Sequence, residues 1–191
     1  MHTGLCDVFG IERPIFAFTP SEHVAAAVSR AGGLGVLGCV RFNDPDELEA
    51  TLSWLDDNTD GKPYGVDVVM PMKVPTEGTS TDLSTLIPPE HVSFVDRTLQ
   101  QLGVPPLPQG KGREGVLGWL HSVARSHVEV ALAHRPVLIA NALGSPPVDV
   151  IEQAHAAGVK VAALAGAAKH ALSHVANGVD VIIAQGHEAG G

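Results

Sequence analysis

The sequence predicts an α/β protein built around a parallel β-sheet. Short continuous apolar runs, rich in Val, Ile, Leu and Ala, alternate with segments of helical period, and each strand–helix unit occupies about 20 residues, as parallel crossovers require. Continuous rather than alternating apolar runs are typical of strands that are buried on both faces. Polar, glycine-rich stretches follow several of these runs, at the strand ends where α/β proteins carry their chemistry.

Six strands are predicted from these apolar runs and from the turn residues that bound them. Their predicted ranges are 14–18, 34–38, 64–70, 136–140, 159–164 and 179–184. The third run contains an acid, Asp67, and a buried acid is costly unless it is paired or faces a ligand. Asp67 is therefore a candidate site residue.

Helices are predicted between the strands from capping residues, first-turn acids and glycine stops. Thr19 or Ser21 can cap a helix over 24–31. The stretch 43–47, with a cap, a proline in the first turn and nearby acids, starts the next helix, which reaches about residue 55. The remaining predicted helices cover 89–102, 116–133, 147–157 and 167–177. Residues 6–13 are interpreted as a lead-in to the first strand.

Residues 72–113 break the strand–helix rhythm. The stretch is long, rich in proline and polar residues, and contains the predicted helix at 89–102. Long irregular segments inside a compact domain are commonly functional loops. We therefore expect an insertion within a single domain spanning 1–191, on the side of the sheet where loops follow strands and where it could act as a lid.

Composition and charge argue against several classes of protein. The 191 residues are 45% hydrophobic and only 4% aromatic, so one sizeable core of aliphatic residues is expected. The net charge of −9 argues against a nucleic-acid-binding protein, which normally carries a basic face. No signal-peptide pattern and no run of about 20 apolar residues is present, so a membrane protein is not expected. Cys6 and Cys39 lack metal or redox spacing, which fits a reducing cytoplasm.

The ten histidines do not point to a metal site. His170 and His174 are four residues apart on one helical face, a spacing compatible with a metal, but the sequence places no third ligand beside them. A solvated helix face is the favoured interpretation, and His121, His127 and His134 are likewise predicted on the surface. No bound metal is expected.

The glycine cluster at 32–38 resembles a dinucleotide-binding fingerprint only loosely. It lies where a helix passes into a strand, whereas a Rossmann loop passes from a strand into a helix. We interpret the cluster as a helix stop followed by close packing of backbone at the floor of the fold.

The last predicted strand runs directly into a polar, glycine-rich segment over 185–191. Gly186, Gly190 and Gly191 let backbone N–H groups approach a ligand, and Gln185 offers both a hydrogen-bond donor and an acceptor. An ordinary strand-to-helix turn has the same composition, so these residues alone leave the choice open.

One octapeptide carries a resemblance to a known family. It reads Ala184-Gln185-Gly186-His187-Glu188-Ala189-Gly190-Gly191 and resembles the A-Q-G-x-E-A-G-G-H signature of the nitronate monooxygenase family, formerly called 2-nitropropane dioxygenases. The similarity extends from about Phe9 to the last residue. It implies an FMN-dependent (β/α)8 barrel, or TIM barrel, whose catalytic base is the histidine after the two glycines. The sequence ends one residue before that position, and His187 occupies the variable position, so no catalytic residue is assigned.

Six strands fall short of the eight that this resemblance implies. A (β/α)8 barrel commonly takes about 250 residues, so we expect an incomplete TIM barrel, truncated at its C-terminal end. Its two open edges would favour association, and a homo-oligomer is one expected outcome. An open doubly wound parallel sheet is the alternative, because six strands satisfy that architecture without additions.

The same resemblance implies where FMN would bind. Ala17, Phe18 and Thr19 match the first-strand loop that lies against the flavin, and Asp67 stands where the family usually has asparagine. Small residues also end the fifth and sixth strands, which suits a flat ring. The expected cofactor-binding set is Ala17, Phe18, Thr19, Asp67, Ala165, Gly166, Gln185, Gly186, Gly190 and Gly191.

The reaction implied by the resemblance is oxidation of an alkyl nitronate with O2, with a small-molecule substrate and no nucleic-acid or membrane partner. An FMN-dependent NAD(P)H:quinone or enoyl-thioester reductase shares the implied fold and cofactor and is an alternative. A third alternative is a truncated, non-catalytic chain that binds a partner or a small anion, or that does not fold alone.

Overall fold

The computed structural model describes residues 1–70, 87–106 and 120–189. The chain divides into two compact units, one comprising Met1–Val74 and Val116–Gly191 and the other comprising Pro75–Gly115. The second unit is described only over 87–106, where a helix, α4, covers Pro89–Gln101. The rest of the insertion predicted at 72–113 lies outside the described residues. None of the described helices is long and apolar enough to cross a membrane.

The first unit contains a six-stranded sheet in which every neighbouring pair is parallel. The strands are β1 (Phe16–Thr19), β2 (Leu34–Gly38), β3 (Tyr64–Val68), β4 (Leu138–Asn141), β5 (Lys160–Ala165) and β6 (Val181–Ala184). The helices of this unit are α1 (Gly4–Phe9), α2 (Glu22–Arg30), α3 (Pro45–Asn58), α5 (His121–His134), α6 (Val148–Ala156) and α7 (Ala168–Ala176).

The order of the strands decides between the two predicted architectures. The strands lie in the sequence β1-β2-β3-β4-β5-β6, without a reversal. A doubly wound sheet needs a point at which the order reverses, so that helices cover both faces. Right-handed crossovers in one unbroken direction place the crossover helices on a single face, as in a (β/α)8 barrel. The incomplete TIM barrel is therefore confirmed, and the doubly wound alternative is wrong.

One face of the sheet packs against the crossover helices and forms the larger core cluster. Ala25 of α2, Leu52 of α3, Val128 of α5 and Ile151 of α6 represent the helix side. The strand side chains in this layer are Leu37, Val66, Val68, Ile139, Val161 and Ala163. Burying each of the larger aliphatic side chains stabilises the fold by about 1.5–3 kcal/mol, so this outer face supplies much of the hydrophobic stabilisation.

The glycine cluster at 32–38 predicts close packing of backbone, and this packing occurs at Gly35. An added Cβ at Gly35 would lie 2.1 Å from the carbonyl oxygen of Ala25, so β2 and α2 approach each other through a bare backbone. The Gly35 amide donates a 3.1 Å hydrogen bond to the buried hydroxyl of Ser29. Only glycine permits this contact between a strand and its preceding helix.

The other face of the sheet is covered in part by α1, a helix that the sequence analysis did not assign. Cys6, Phe9 and Ile11 pack against Leu34 and Leu138, among other residues of the inner face. Six residues are too few to display helical periodicity, and the helix ends at Gly10, whose φ of 66° is left-handed. The lead-in predicted at 6–13 is thus a plug over the amino ends of the strands.

The helix boundaries follow the predicted caps closely. Ser21, not Thr19, is the N-cap of α2, and its hydroxyl accepts from the Val24 amide at 3.4 Å. The carboxylate of Asp44 caps α3 by accepting from the Asp46 amide at 3.0 Å. The helix predicted at 116–133 is described from residue 121 onward, and 116–119 lie outside the described residues.

Three histidines predicted on the surface are buried or nearly so. His127 is fully buried, and its Nε2 lies 2.9 Å from the carbonyl oxygen of Phe42. His134 has a side chain that is 9% exposed. His174 is 3% exposed, whereas His170 on the same helix is exposed as predicted. The prediction failed because a backbone carbonyl, a carboxylate or a hydroxyl from elsewhere in the chain can satisfy an imidazole nitrogen. The sequence pattern does not reveal such partners.

Candidate functional site

The carboxyl ends of the six strands meet at one edge of the sheet, as the parallel pairing requires. The residues at this edge are predominantly small or apolar. They include Phe18 and Thr19 of β1, Gly38 of β2, Asp67 of β3, Ala140 and Asn141 of β4, Leu164 and Ala165 of β5, and Ala184 and Gln185 at the end of β6. Asp67 is the acid in this set.

Asp67 lies on the inner face of the sheet. Val66 and Val68 on either side of it face the helices, so strand alternation turns Asp67 inward. Its register partners are Gly38 on β2 and Ala140 on β4. The Oδ1 atom is buried and has no hydrogen-bond partner among the described residues. Burial raises the pKa of Asp67 from 3.8 to about 7, so the carboxyl is substantially protonated near neutral pH.

Small residues surround this carboxyl across three neighbouring strands. Gly38 and Ala140 flank Asp67, and Ala162 on β5 pairs in register with Ala140. An added Cβ at Gly38 would meet nothing closer than the Thr19 carbonyl oxygen at 3.6 Å, so packing alone does not demand glycine there. Small side chains therefore border Asp67 on both neighbouring strands.

Arg41 links the loop after β1 to the loop after β2. Its Nε donates to the Pro20 carbonyl oxygen at 3.0 Å, and its guanidinium forms a 2.9 Å ion pair with Glu22. The guanidinium also lies 3.9 Å from the ring centroid of Phe42. The Thr19 hydroxyl accepts from the Ser21 amide at 3.1 Å. These contacts hold the backbone that follows Phe18, a side chain that is 44% exposed.

Asn141 joins the ends of β3 and β4. Its side-chain oxygen accepts from the Met70 amide at 2.8 Å, and its Nδ2 donates to the carbonyl oxygens of Met70 at 3.0 Å and of Gly144 at 2.9 Å. Because Asn141 is fully buried, these bonds set the path of both loops. The expected site set omitted Asn141, although an asparagine directly after an apolar strand is a signal for such a bridge.

Ser145 and His174 fasten the loop after β4 to α7. The Ser145 hydroxyl lies 2.6 Å from Nδ1 of His174, and Nε2 lies 2.9 Å from the Leu164 carbonyl oxygen. Since the carbonyl can only accept, Nε2 carries the proton and Nδ1 accepts from the serine. Both side chains are buried, so this pair positions the loop and does not face a substrate.

The structure brings part of the expected cofactor-binding set together. Phe18, Thr19, Asp67, Gly166, Gln185 and Gly186 all lie at the carboxyl edge. Ala17, Thr19 and Ala165 alternate onto the helix-facing side, where Leu37, the register partner of Thr19, also lies, so only their backbone is turned towards this edge. The backbone amide of Gln185 donates to the Ala165 carbonyl oxygen at 3.0 Å, and this bond joins the ends of β5 and β6. Gly190 and Gly191 lie outside the described residues, and the cofactor role of the whole set stays a prediction.

Similarity to known proteins extends over almost the whole chain. The chain is 46% identical to "Putative monooxygenase Rv1533" of Mycobacterium tuberculosis over 198 aligned residues, which cover 100% of this chain and 52% of the relative. It is 29% identical to a nitronate monooxygenase of Paraburkholderia phytofirmans, covering 98% of this chain and 49% of the relative. The chain thus spans about half the length of the curated relatives it matches.

The fold has solved counterparts. A nitroalkane oxidase from Streptomyces ansochromogenes superposes with a TM-score of 0.66 at 24% identity, covering 97% of this chain and 49% of that structure. Identity at this level supports the fold alone. The family model described as nitronate monooxygenase, however, matches residues 3–191, and on that match the chain belongs to the nitronate monooxygenase family.

Proposed function

We propose that the protein carrying this chain is an FMN-dependent oxidoreductase that oxidises alkyl nitronates with O2. The observation that carries this proposal is the membership of residues 3–191 in the nitronate monooxygenase family. The carboxyl edge of the sheet supports it, because it combines an inward acid with small residues on both neighbouring strands.

The residues at this edge fit a flat, polar-edged ring such as flavin. The unpartnered Oδ1 of Asp67 can hydrogen-bond a ligand atom, and Gly38 beside it carries no side chain that would compete for that atom. Phe18 and Leu143 are 44% and 49% exposed and offer apolar surface on the loops after β1 and β4. We propose that Phe18, Thr19, Asp67, Gly166, Gln185 and Gly186 hold FMN.

FMN, when bound, would supply the redox chemistry that protein side chains lack. The side chains of this chain would bind and orient. Asp67 would hold a hydrogen bond to the ring, and Phe18 would keep water from one side of it. Gly166 and Gly186, where an added Cβ would meet nothing within 4 Å, would let backbone come close. Asn141 and Arg41 would hold the loops in the geometry that binding needs.

The test is cofactor retention followed by a choice of substrates. The natural full-length protein is incubated with FMN, desalted and examined by visible absorption. Retained flavin bands and O2 consumption with an alkyl nitronate are expected. Asp149→Asn is a control, because Asp149 lies on the outer surface in an ion pair with Arg125. A folded protein that retains no flavin would overturn the proposal.

The same protein also tests the alternative reaction. The first-strand loop, Ala17-Phe18-Thr19-Pro20, lacks the methionine that members of the family often show there, which keeps an NAD(P)H:quinone or enoyl-thioester reductase as the second candidate. Flavin retention with NADH oxidation by a quinone, and no turnover of nitronate, would select it. A cytoplasmic location and a homo-oligomer remain predictions.

A further inference from the structure

Asp67 is a buried acid whose hydrogen bonding the fold leaves incomplete. Its Oδ1 is buried without a hydrogen-bond partner among the described residues. An ionised carboxylate in such a place costs several kcal/mol unless a cation or several donors compensate it. Either the carboxyl of Asp67 therefore stays neutral, or a bound ligand donates a hydrogen bond to it.

The neighbouring groups within the described part of the chain do not supply that compensation. The titratable group beside Asp67 on β2 is the Cys39 thiol, which is fully buried and whose own pKa is raised by burial and by the nearby carboxyl. On β4 the register partner is Ala140. Arg41, the cation that follows β2, is engaged by Pro20 and Glu22. Burial is accordingly the cause of the raised pKa of Asp67.

We propose that Asp67 acts as a neutral carboxylic acid that donates a hydrogen bond to an acceptor atom of the bound flavin ring, so that cofactor binding is linked to proton uptake above neutral pH. This inference rests on the proposed function. The flavin ring edge carries carbonyl oxygens and ring nitrogens that accept hydrogen bonds, and a protonated carboxyl can donate to them. An ionised Asp67 could only accept, which would reverse the pH dependence.

The test measures FMN affinity in the natural full-length protein at pH 7 and pH 8.5. With a pKa of about 7, the protonated fraction of Asp67 falls from about one half to about one thirtieth, so affinity should fall about fifteenfold. The FMN phosphate is already largely ionised at pH 7, because its second pKa is about 6. Titration calorimetry at pH 8.5 in two buffers of different ionisation enthalpy should show uptake of about one proton.

The Asp67→Asn variant separates hydrogen-bond donation at this position from titration of the side chain. An amide donates at every pH, so this variant should bind FMN with little change between pH 7 and pH 8.5 and without proton uptake. Asp149→Asn, which removes a surface carboxylate, should keep the wild-type pH dependence. A wild-type affinity that is constant or higher at pH 8.5, or an Asp67→Asn variant that retains the wild-type dependence, would overturn the inference.

A measurement without flavin distinguishes failure of this inference from failure of the proposed function. The infrared difference between wild type and Asp67→Asn should contain a protonated-carboxyl band at pH 6 that is lost at pH 8.5. Absence of that band overturns the inference whatever the flavin result. If the band is present but neither protein binds FMN at pH 7, the proposed function is overturned, and the hydrogen bond to flavin is overturned with it.

Discussion

The two faces of the sheet hold buried polar groups of different chemistry. On the outer face, Ser29 accepts from the Gly35 amide, and His127 meets the Phe42 carbonyl oxygen. On the inner face, Asp67 keeps a buried oxygen without a partner among the described residues. Nδ1 of His127 is also buried without a partner among the described residues, so each face carries an unpartnered polar atom. The two atoms differ in chemistry: the outer-face atom belongs to an imidazole whose other nitrogen is paired, whereas the inner-face atom belongs to a carboxyl whose ionised form burial disfavours. Substitutions on the two faces should therefore change the free energy of unfolding by different amounts, with different signs and with different pH dependence. All variants are measured in the natural full-length protein.

The largest effect is expected at Gly35. Gly35→Ala places a methyl group 2.1 Å from the Ala25 carbonyl oxygen, so β2 and α2 must separate, and we expect a loss of about 3 kcal/mol or more, or no folded protein. Gly38→Ala is the matched change on the inner face, with its nearest contact at 3.6 Å, and should alter the unfolding free energy by less than about 0.5 kcal/mol. Thermal and urea unfolding measure both. Equal losses for the two variants would mean that the faces do not differ in packing.

His127 tests whether the polar pairs of the outer face matter. His127→Ala leaves a cavity and an unpaired Phe42 carbonyl oxygen, and should cost about 2–4 kcal/mol. His127→Gln can still place a donor near that oxygen and should lose less. Burial lowers the pKa of His127 although the Phe42 bond opposes this, so its contribution is lost as pH falls below 6.5. Urea unfolding at pH 5 and pH 7.5 measures both effects, and equal losses in the two variants would speak against the hydrogen bond.

Asp67→Asn should stabilise the protein, in contrast to the outer-face changes. The folded pKa of Asp67 is about 7 and the ordinary value is 3.8, so its stabilising contribution is present below 3.8 and is lost as pH rises through 7. The variant should exceed wild type by on the order of 1–3 kcal/mol at pH 8 and approach it near pH 4. Asp149, whose pKa is lowered by the Arg125 hydrogen bond, should respond in the opposite direction when changed to asparagine. Urea unfolding across this range decides, and a destabilised Asp67→Asn at pH 8 would contradict the prediction.

The smallest effect is expected at His134, where α5 meets α3. Burial would lower the pKa of His134, but Asp56 at 2.6 Å and Glu49 at 3.0 Å raise it above 6.5. The contribution is therefore complete below pH 6.5 and is lost as pH rises through the folded pKa. His134→Gln should cost about 1 kcal/mol at pH 6 and less at pH 8.5, because the partner carboxylates are partly exposed. Thermal unfolding at the two pH values, with exposed His170→Gln as the control, measures this difference. A loss that grows with pH would have the wrong sign.

Local patterns predicted the framework because they report local physics. The apolar run at 34–38 matches β2 residue for residue, and the caps Ser21 and Asp44 begin α2 and α3 as expected. Strand and helix periods arise from neighbouring residues in the chain. Helix α1 was not predicted, because a six-residue segment is too short to show such a period.

The site was predicted less completely, since its residues meet only through the fold. The acid inside the third strand singled out Asp67, but its unpartnered oxygen depends on which residues flank it on β2 and β4. The sequence did not reveal that Asn141 and His174 hold loops in place. Their hydrogen-bond partners, Met70 and Ser145, lie 71 and 29 residues away along the chain.

The sequence by itself determined the alternation of strands and helices, the aliphatic core and the family to which the chain belongs. Tertiary structure decided the strand order, the burial of His127 and the inward direction of Asp67. Propensity and hydrophobic period act over a few residues, whereas the protonation of a carboxyl depends on the solvent and charges that remain around it after distant strands have paired.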